Sequence, residues 1–133
     1  MSHKMAEVGS LKEGKYVILD GEPCRIVSTE KSKTGKHGHA KVRLTAIGIF
    51  DGSKRSVVYP ADTSIEVPVI DKRNGQVISL TDNSVTVMDL ETYQSFDMSP
   101  PEEDELKSKL AAGVQVEYWD IVGRKKITRV KVG

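Results

Sequence analysis

Short alternations of apolar and polar residues, separated by turn-forming residues, run through the whole chain. Tyr16-Val17-Ile18-Leu19 leads into the turn Asp20-Gly21-Glu22-Pro23, and Cys24-Arg25-Ile26-Val27-Ser28 follows it. Val42-Arg43-Leu44-Thr45-Ala46-Ile47 places apolar side chains at every second position, the period of a strand with one face buried. Asp51-Gly52-Ser53-Lys54 reads as a further tight turn, with Ser56-Val57-Val58-Tyr59 and Ile65-Glu66-Val67 as the next strands. Short strands packed this closely predict a small barrel.

A junction follows at Val67-Pro68-Val69-Ile70-Asp71-Lys72-Arg73-Asn74-Gly75. Proline interrupts strand pairing, and Asn-Gly is a hairpin-turn signal. A second strand series then runs through Gln76–Leu80, Val85–Leu90, Val114–Trp119 and Lys126–Val132, with Asp82-Asn83 turning between the first two. One helix interrupts it. Ser99 caps the helix, Pro100 takes its first position, Glu102 completes a capping box and Gly113 stops it. Acids at 102–105 precede Lys107 and Lys109, matching the helix dipole, while Leu106 and Leu110 share a face. Strands, a short helix and then more strands is the order of a five-stranded Greek-key OB-fold. The expectation is all-β: two small barrels in tandem over residues 1–69 and 70–133, the second an OB-fold with one short helix.

Charge adds little as a total and much as a distribution. The chain's net charge of +1 resolves into +3 over residues 1–70 and −2 over residues 71–133. One stretch concentrates the positive charge. From Lys31 to Arg43 there are five basic residues and no acid, and no hydrophobic side chain stands between Lys31 and His39. Within it, Lys36 lies between Gly35 and Gly38, residues that permit a sharp reversal. A lysine lifted clear on a basic loop points to a polyanion, or to chemistry performed on the lysine itself. Lys33, Lys41 and Arg43 are the candidate RNA-contacting residues, since binding without base specificity works through phosphates. Arg124, Lys125, Lys126, Arg129 and Lys131 offer a second basic edge. Base stacking has weaker support: Tyr93 and Phe96 are candidates, and alternation buries one of Tyr118 and Trp119.

Other chemistries fit poorly. A phosphate-binding loop needs Gly five residues before Gly35 and Ser or Thr after Lys36, and those positions hold Glu30 and His37. His37 and His39 alone fall short of the three or four protein ligands of a zinc site, so no metal site is expected. No nucleophile–base or paired-carboxylate constellation emerges, which points to a binding factor and not an enzyme, with no bound cofactor. The single Cys24 excludes an internal disulfide and reads as a small buried strand residue. No apolar run reaches the roughly 18 residues needed to span a bilayer, and the N-terminus lacks a signal-peptide core, so a soluble cytoplasmic protein is expected.

Ser32-Lys33-Thr34-Gly35-Lys36-His37-Gly38-His39-Ala40-Lys41 closely resembles the hypusine loop of the translation initiation factor 5A family, relatives of bacterial elongation factor P. The resemblance extends to Gly21–Val27, to Ile49–Lys54 and to Asp71-Lys72-Arg73, and the short leader and the stop at Val132-Gly133 resemble archaeal members. It implies an SH3-like N-terminal barrel, an OB-type C-terminal barrel, and transfer of an aminobutyl group from spermidine to Lys36 by deoxyhypusine synthase. Hydroxylation to hypusine follows where the second enzyme exists. The partners it implies are the ribosome and peptidyl-tRNA, with no DNA and no membrane. The function it implies is positioning the tRNA acceptor end for peptide-bond formation, notably at consecutive prolines. An unmodified RNA-binding or RNA-chaperone module, or a scaffold docking a protein through the loop, stands beside it as the alternative.

Overall fold

The structure, a computed structural model, describes residues 3–33 and 40–131. The chain is nearly all β, with eleven strands and one short α-helix among the described residues, and it separates into two compact units, residues 1–69 and 70–133.

In the first unit β1 (His3–Glu7) pairs with β6 (Ser64–Pro68), and β2 (Tyr16–Leu19), β3 (Glu22–Lys33), β4 (Ala40–Gly48) and β5 (Lys54–Pro60) form an antiparallel meander in that order. Asp20 and Gly21 join β2 to β3 with φ of 52° and 77°. Two positive φ angles in a two-residue loop are those of a type I′ turn, whose twist matches the flanking strands. The sheet curls around Val8, Leu11, Val17, Leu19, Cys24, Ile26, Val42, Leu44, Ala46 and Ile65, and β6 lies against β2 to make a small barrel of SH3-like kind. Full burial of each larger aliphatic side chain here contributes on the order of 1.5–3 kcal/mol. The strands expected around 16–19, 24–28, 42–47, 56–59 and 65–67 all form. β1 was not expected, because its alternation is too short to register in Lys4-Met5-Ala6-Glu7.

The second unit contains β7 (Ile70–Leu80), β8 (Val85–Asp89), β9 (Ser95–Met98), α1 (Asp104–Lys109), β10 (Gln115–Ile121) and β11 (Arg124–Lys131). The sheet order is β11-β10-β7-β8-β9, an OB-fold arrangement in which the first strand pairs with both the second and the fourth. Its core comprises Val77, Val85, Val87, Met98, Val116, Tyr118, Ile127 and Val130, closed below by Phe96, Leu106, Leu110 and Val114.

Two expectations are corrected here. Asn74-Gly75 is no turn: both residues lie inside β7, where Gly75 pairs with Val116 on one side and Asp89 on the other. Gly75 serves close packing, since a Cβ there would stand 2.4 Å from Val87 Cγ1 and 3.1 Å from the Met88 carbonyl oxygen. The helix begins later than the Ser99 cap predicts, its N-cap is Glu103, and no side chain caps it. Pro101 explains the delay, because a residue preceding proline is pushed out of the α region and Pro100 therefore cannot start a helix. Leu106 and Leu110 do share a face and pack on the core. The strand β9 was also unread: Ser95-Phe96-Asp97-Met98 alternates, but over only four residues.

Candidate modification hairpin and its cationic flanks

The hairpin of β3 and β4 extends two pairs, Ser32–Lys41 and Lys33–Ala40, past Val42, the last core residue of β4. Beyond Ile26 no described side chain of β3 is fully buried, yet pairing continues through Ser28–Thr45, Glu30–Arg43, Lys31–Val42 and Ser32–Lys41 to Lys33–Ala40. Backbone pairing carries this arm, and β5 supports it from the other side, with Lys41 opposite Pro60 and Val42 opposite Tyr59. Val42 and Leu44 are fully buried beneath β4 and anchor it. The pair Lys33–Ala40 closes the ladder. Thr34, Gly35, Lys36, His37, Gly38 and His39 lie outside the described residues, and so does the side chain of Lys33.

A β-bulge between Ile26 and Ser28 divides the charges. One extra residue on β3 reverses which of its side chains face the core. Below the bulge Ile26 pairs with Ala46 on the buried face; above it Thr29 and Lys31 take that face, opposite Leu44 and Val42. Lys41 and Arg43 are exposed on the other face, as is Ser32, while Ala40 is half-buried. Lys41 and Arg43, two of the three named RNA-contact candidates, therefore share one face. Their surrounding is not wholly free of acid: Glu30 stands directly opposite Arg43, so Lys41, opposite Ser32 and Pro60, is the less compensated of the two.

Cys24 is fully buried on β3, and burial pushes its thiol pKa up, so it is not a poised nucleophile. Among the described residues no group of three or more His, Cys, Asp or Glu side chains gathers to hold a metal ion. No helix among them is long and apolar enough to cross a membrane.

The second unit holds a buried polar centre that the sequence did not reveal. Asp89, 1% exposed at the end of β8, accepts hydrogen bonds from Arg73 Nε (2.6 Å) and Nη2 (3.2 Å) and from the Tyr118 hydroxyl (2.6 Å). The backbone N–H groups of Glu91 (2.8 Å) and Thr92 (3.0 Å) complete the shell. The Arg73 guanidinium, above all, holds the Asp89 carboxyl well below the usual carboxylate range, and burial beside Asp89 pushes the Tyr118 hydroxyl well above the usual phenol range. The arrangement fixes β7, β8 and β10 to one another around a satisfied charge. Its sequence signal was a lone acid closing the apolar run Val85-Thr86-Val87-Met88-Asp89.

The second basic edge is not continuous. Lys125 Nζ lies 3.7 Å from Asp120 and 4.3 Å from the centre of the Phe96 ring, and Lys126 Nζ lies 3.9 Å from Glu103. Phe96 is thereby covered. Tyr118 is the buried member of its pair, Trp119 is half-buried, and Tyr93 is 71% exposed in the β8–β9 turn.

Residues 2–63 match the family described as translation initiation factor 5A-like, N-terminal, and residues 69–131 match the one described as eukaryotic elongation factor 5A hypusine, DNA-binding OB fold. The chain belongs to the translation initiation factor 5A family. Its relatives in that family include translation initiation factor 5A from Pyrobaculum islandicum, 54% identical over 132 residues that cover 98% of this chain and 100% of the relative. The factor 5A from Thermofilum pendens is 50% identical over 131 residues, covering 98% and 99%. Among solved structures, the factor 5A from Methanococcus jannaschii superposes with a TM-score of 0.90 at 47% identity, covering 98% of this chain and 96% of that one. These factor 5A relatives match across both units, so the β3–β4 hairpin and the OB-fold belong to one family architecture.

Proposed function

We propose that this chain is a ribosome-binding translation factor of the cytoplasm whose working group is Lys36, lengthened by an aminobutyl group that deoxyhypusine synthase takes from spermidine. The observation that carries the reading is the hairpin: a paired arm, extended beyond the core, whose connecting residues are Thr34-Gly35-Lys36-His37-Gly38-His39. A receptor that takes a lysine into its own site needs that lysine on a segment projecting from a rigid support, and the three-stranded arm supplies the support. The added group gives the side chain more reach and a second amine for RNA phosphates and hydroxyls. Lys41, Arg43 and Lys33 supply sequence-independent attraction to RNA around it. With the acceptor end of peptidyl-tRNA held in a reactive geometry, proximity and orientation lower the barrier on the order of several kcal/mol. Such help matters most where consecutive prolines hold the reacting groups apart. The ribosome performs the chemistry, and the factor positions its substrate without a bound cofactor.

The test is the Lys36→Arg variant, which keeps the charge and cannot accept the aminobutyl group. Protein from the native source is expected to show one aminobutyl group by intact mass, assigned to Lys36 by peptide mass spectrometry. The variant is expected to fold as the parent and to fail in synthesis through consecutive prolines. Full activity of the variant, or the group found on Lys33 or Lys41, would overturn the reading.

A further inference from the structure

Ala40, the residue at which the hairpin ladder ends, is held from a second side by a segment distant in sequence. Registered pairing of β4 with β5 stops at Lys41 opposite Pro60. One bond continues beyond it: the Ala61 N–H donates to the Ala40 carbonyl at 2.8 Å. Ala61 is gripped in turn, its carbonyl accepting from the Gly9 N–H at 2.8 Å, and the Val8 N–H donates to the Thr63 carbonyl at 2.9 Å. Val8 is fully buried and opens the 3₁₀ turn Val8–Ser10, so this grip starts in the core of the first unit. The Leu11 N–H on the Val8 carbonyl (3.1 Å) and the Ser10 Oγ on the Glu7 carbonyl (2.7 Å) keep the turn closed. The approach requires glycine at position 9. Its φ is not positive, and the constraint is space: a Cβ on Gly9 would stand 3.0 Å from the Ala61 carbonyl oxygen and 3.1 Å from Ala61 Cβ.

We propose that Gly9 and Ala61 are positioning residues for the modification of Lys36, clamping Ala40 and with it the C-terminal root of the segment that carries that lysine. The role rests on the modification reading above. Ala40 lies four residues beyond Lys36 and pairs with Lys33 on β3. Bonded to Ala61 as well, it is fixed between two neighbours where the end of a lone hairpin would have one. A receptor that takes in Lys36 has to immobilise whatever freedom the root of the segment retains, and that ordering counts against binding. A root fixed in advance removes that cost at one end. In the step itself a bond forms between Lys36 Nζ and the aminobutyl carbon as the C–N bond to spermidine's secondary amine breaks. The proton leaving Nζ ends on the departing 1,3-diaminopropane, with no net oxidation. The clamp touches none of those atoms. It acts on how readily the segment is bound, so its loss falls on KM and not on kcat.

The test uses the full chain, unmodified, with purified deoxyhypusine synthase and spermidine, read by intact mass. Gly9→Ala drives a Cβ against Ala61 and should raise the KM for the protein about fivefold with kcat kept. The assay runs at a temperature where circular dichroism shows variant and parent equally folded. Combining Gly9→Ala with Ala61→Gly relieves the Cβ contact at 3.1 Å and should recover part of the loss. Amide exchange reads the clamp without the enzyme. The Ala61 N–H should exchange about fivefold faster in Gly9→Ala, the scale of one ordinary hydrogen bond. The Ile26 N–H, bonded to the Lys15 carbonyl at 2.8 Å in the same unit, should keep the parent's rate. A merely structural Gly9 would lower stability and leave the KM of the folded variant unchanged. Unchanged KM, or a fall confined to kcat, would overturn the positioning role, and an unchanged Ala61 exchange rate would overturn the clamp. A parent that accepts no aminobutyl group would overturn the modification reading and this role with it, leaving the exchange rates to decide the clamp alone.

Discussion

Replacing Asp89 by Asn tests what the buried centre of the OB-fold contributes. The substitution preserves size and removes the charge on which Arg73 and the Tyr118 hydroxyl converge. Asn can still accept from the backbone N–H groups of Glu91 and Thr92, but its amide NH₂ then confronts donors on Arg73 or Tyr118. Removing one partner of a buried ion pair costs about 3–5 kcal/mol. The lower end applies, because Arg73 keeps Asp71 at 3.1 Å and Glu91 at 3.5 Å. A loss of about 3 kcal/mol is expected at neutral pH, read by urea unfolding followed through Trp119 emission, which reports the same unit. The pH dependence carries the sharper test. The folded-state pKa of Asp89 is lowered, so its contribution is complete above the ordinary carboxylate range and is lost as pH falls through and below that range. The gap between parent and variant should therefore narrow in acid. A gap under about 1 kcal/mol at neutral pH, or one that does not change with acidification, would refute the account.

Gly75→Ala should destabilise the second unit by about 1–2 kcal/mol in the same urea assay, because overpacking against buried Val87 and the Met88 carbonyl outweighs the entropy gained on replacing glycine; a stabilised variant would show that β7 and β8 can separate freely there. Residues 1–69 alone should fold and still accept the aminobutyl group, since Lys36 and both strands of its hairpin lie within them; a fragment unfolded by circular dichroism and proteolysis would make the chain one cooperative unit.

Much of this architecture was legible because period-2 alternation is a local property. Val42-Arg43-Leu44-Thr45-Ala46 reads as a strand with no knowledge of its neighbours, and β4 buries Val42, Leu44 and Ala46 as that pattern requires. What failed depended on partners distant in sequence. Asn74-Gly75 carries a turn signal, but Val87 approaches from the next strand and needs the missing side chain. Asp89 looks like an ordinary strand-ending acid until β7 and β10 bring Arg73 and Tyr118 to it. The hairpin's cations were legible by position, but their faces were not. Alternation in β3 breaks at Val27, and only pairing with β4 shows that a bulge, not a strand end, is the cause. The basic run in β11 needed the same information, since register sends Lys125 one way and Lys126 and Arg129 the other.

The paired arm that carries the lysine also sets the steps in which its reach can change. Adding one residue to each strand between Ser28 and Lys33 and between Ala40 and Thr45 would turn Lys41 and Arg43 to the opposite face of the sheet. The arm can therefore grow or shrink without reversing its charges only by two residues per strand, an advance of about 6.6 Å at a time. If the chain positions a group against a partner as proposed, backbone length is a coarse ruler for doing so. Under the function proposed above, finer adjustment falls to the Lys36 side chain, which the aminobutyl group would lengthen without disturbing a single backbone pair of the arm.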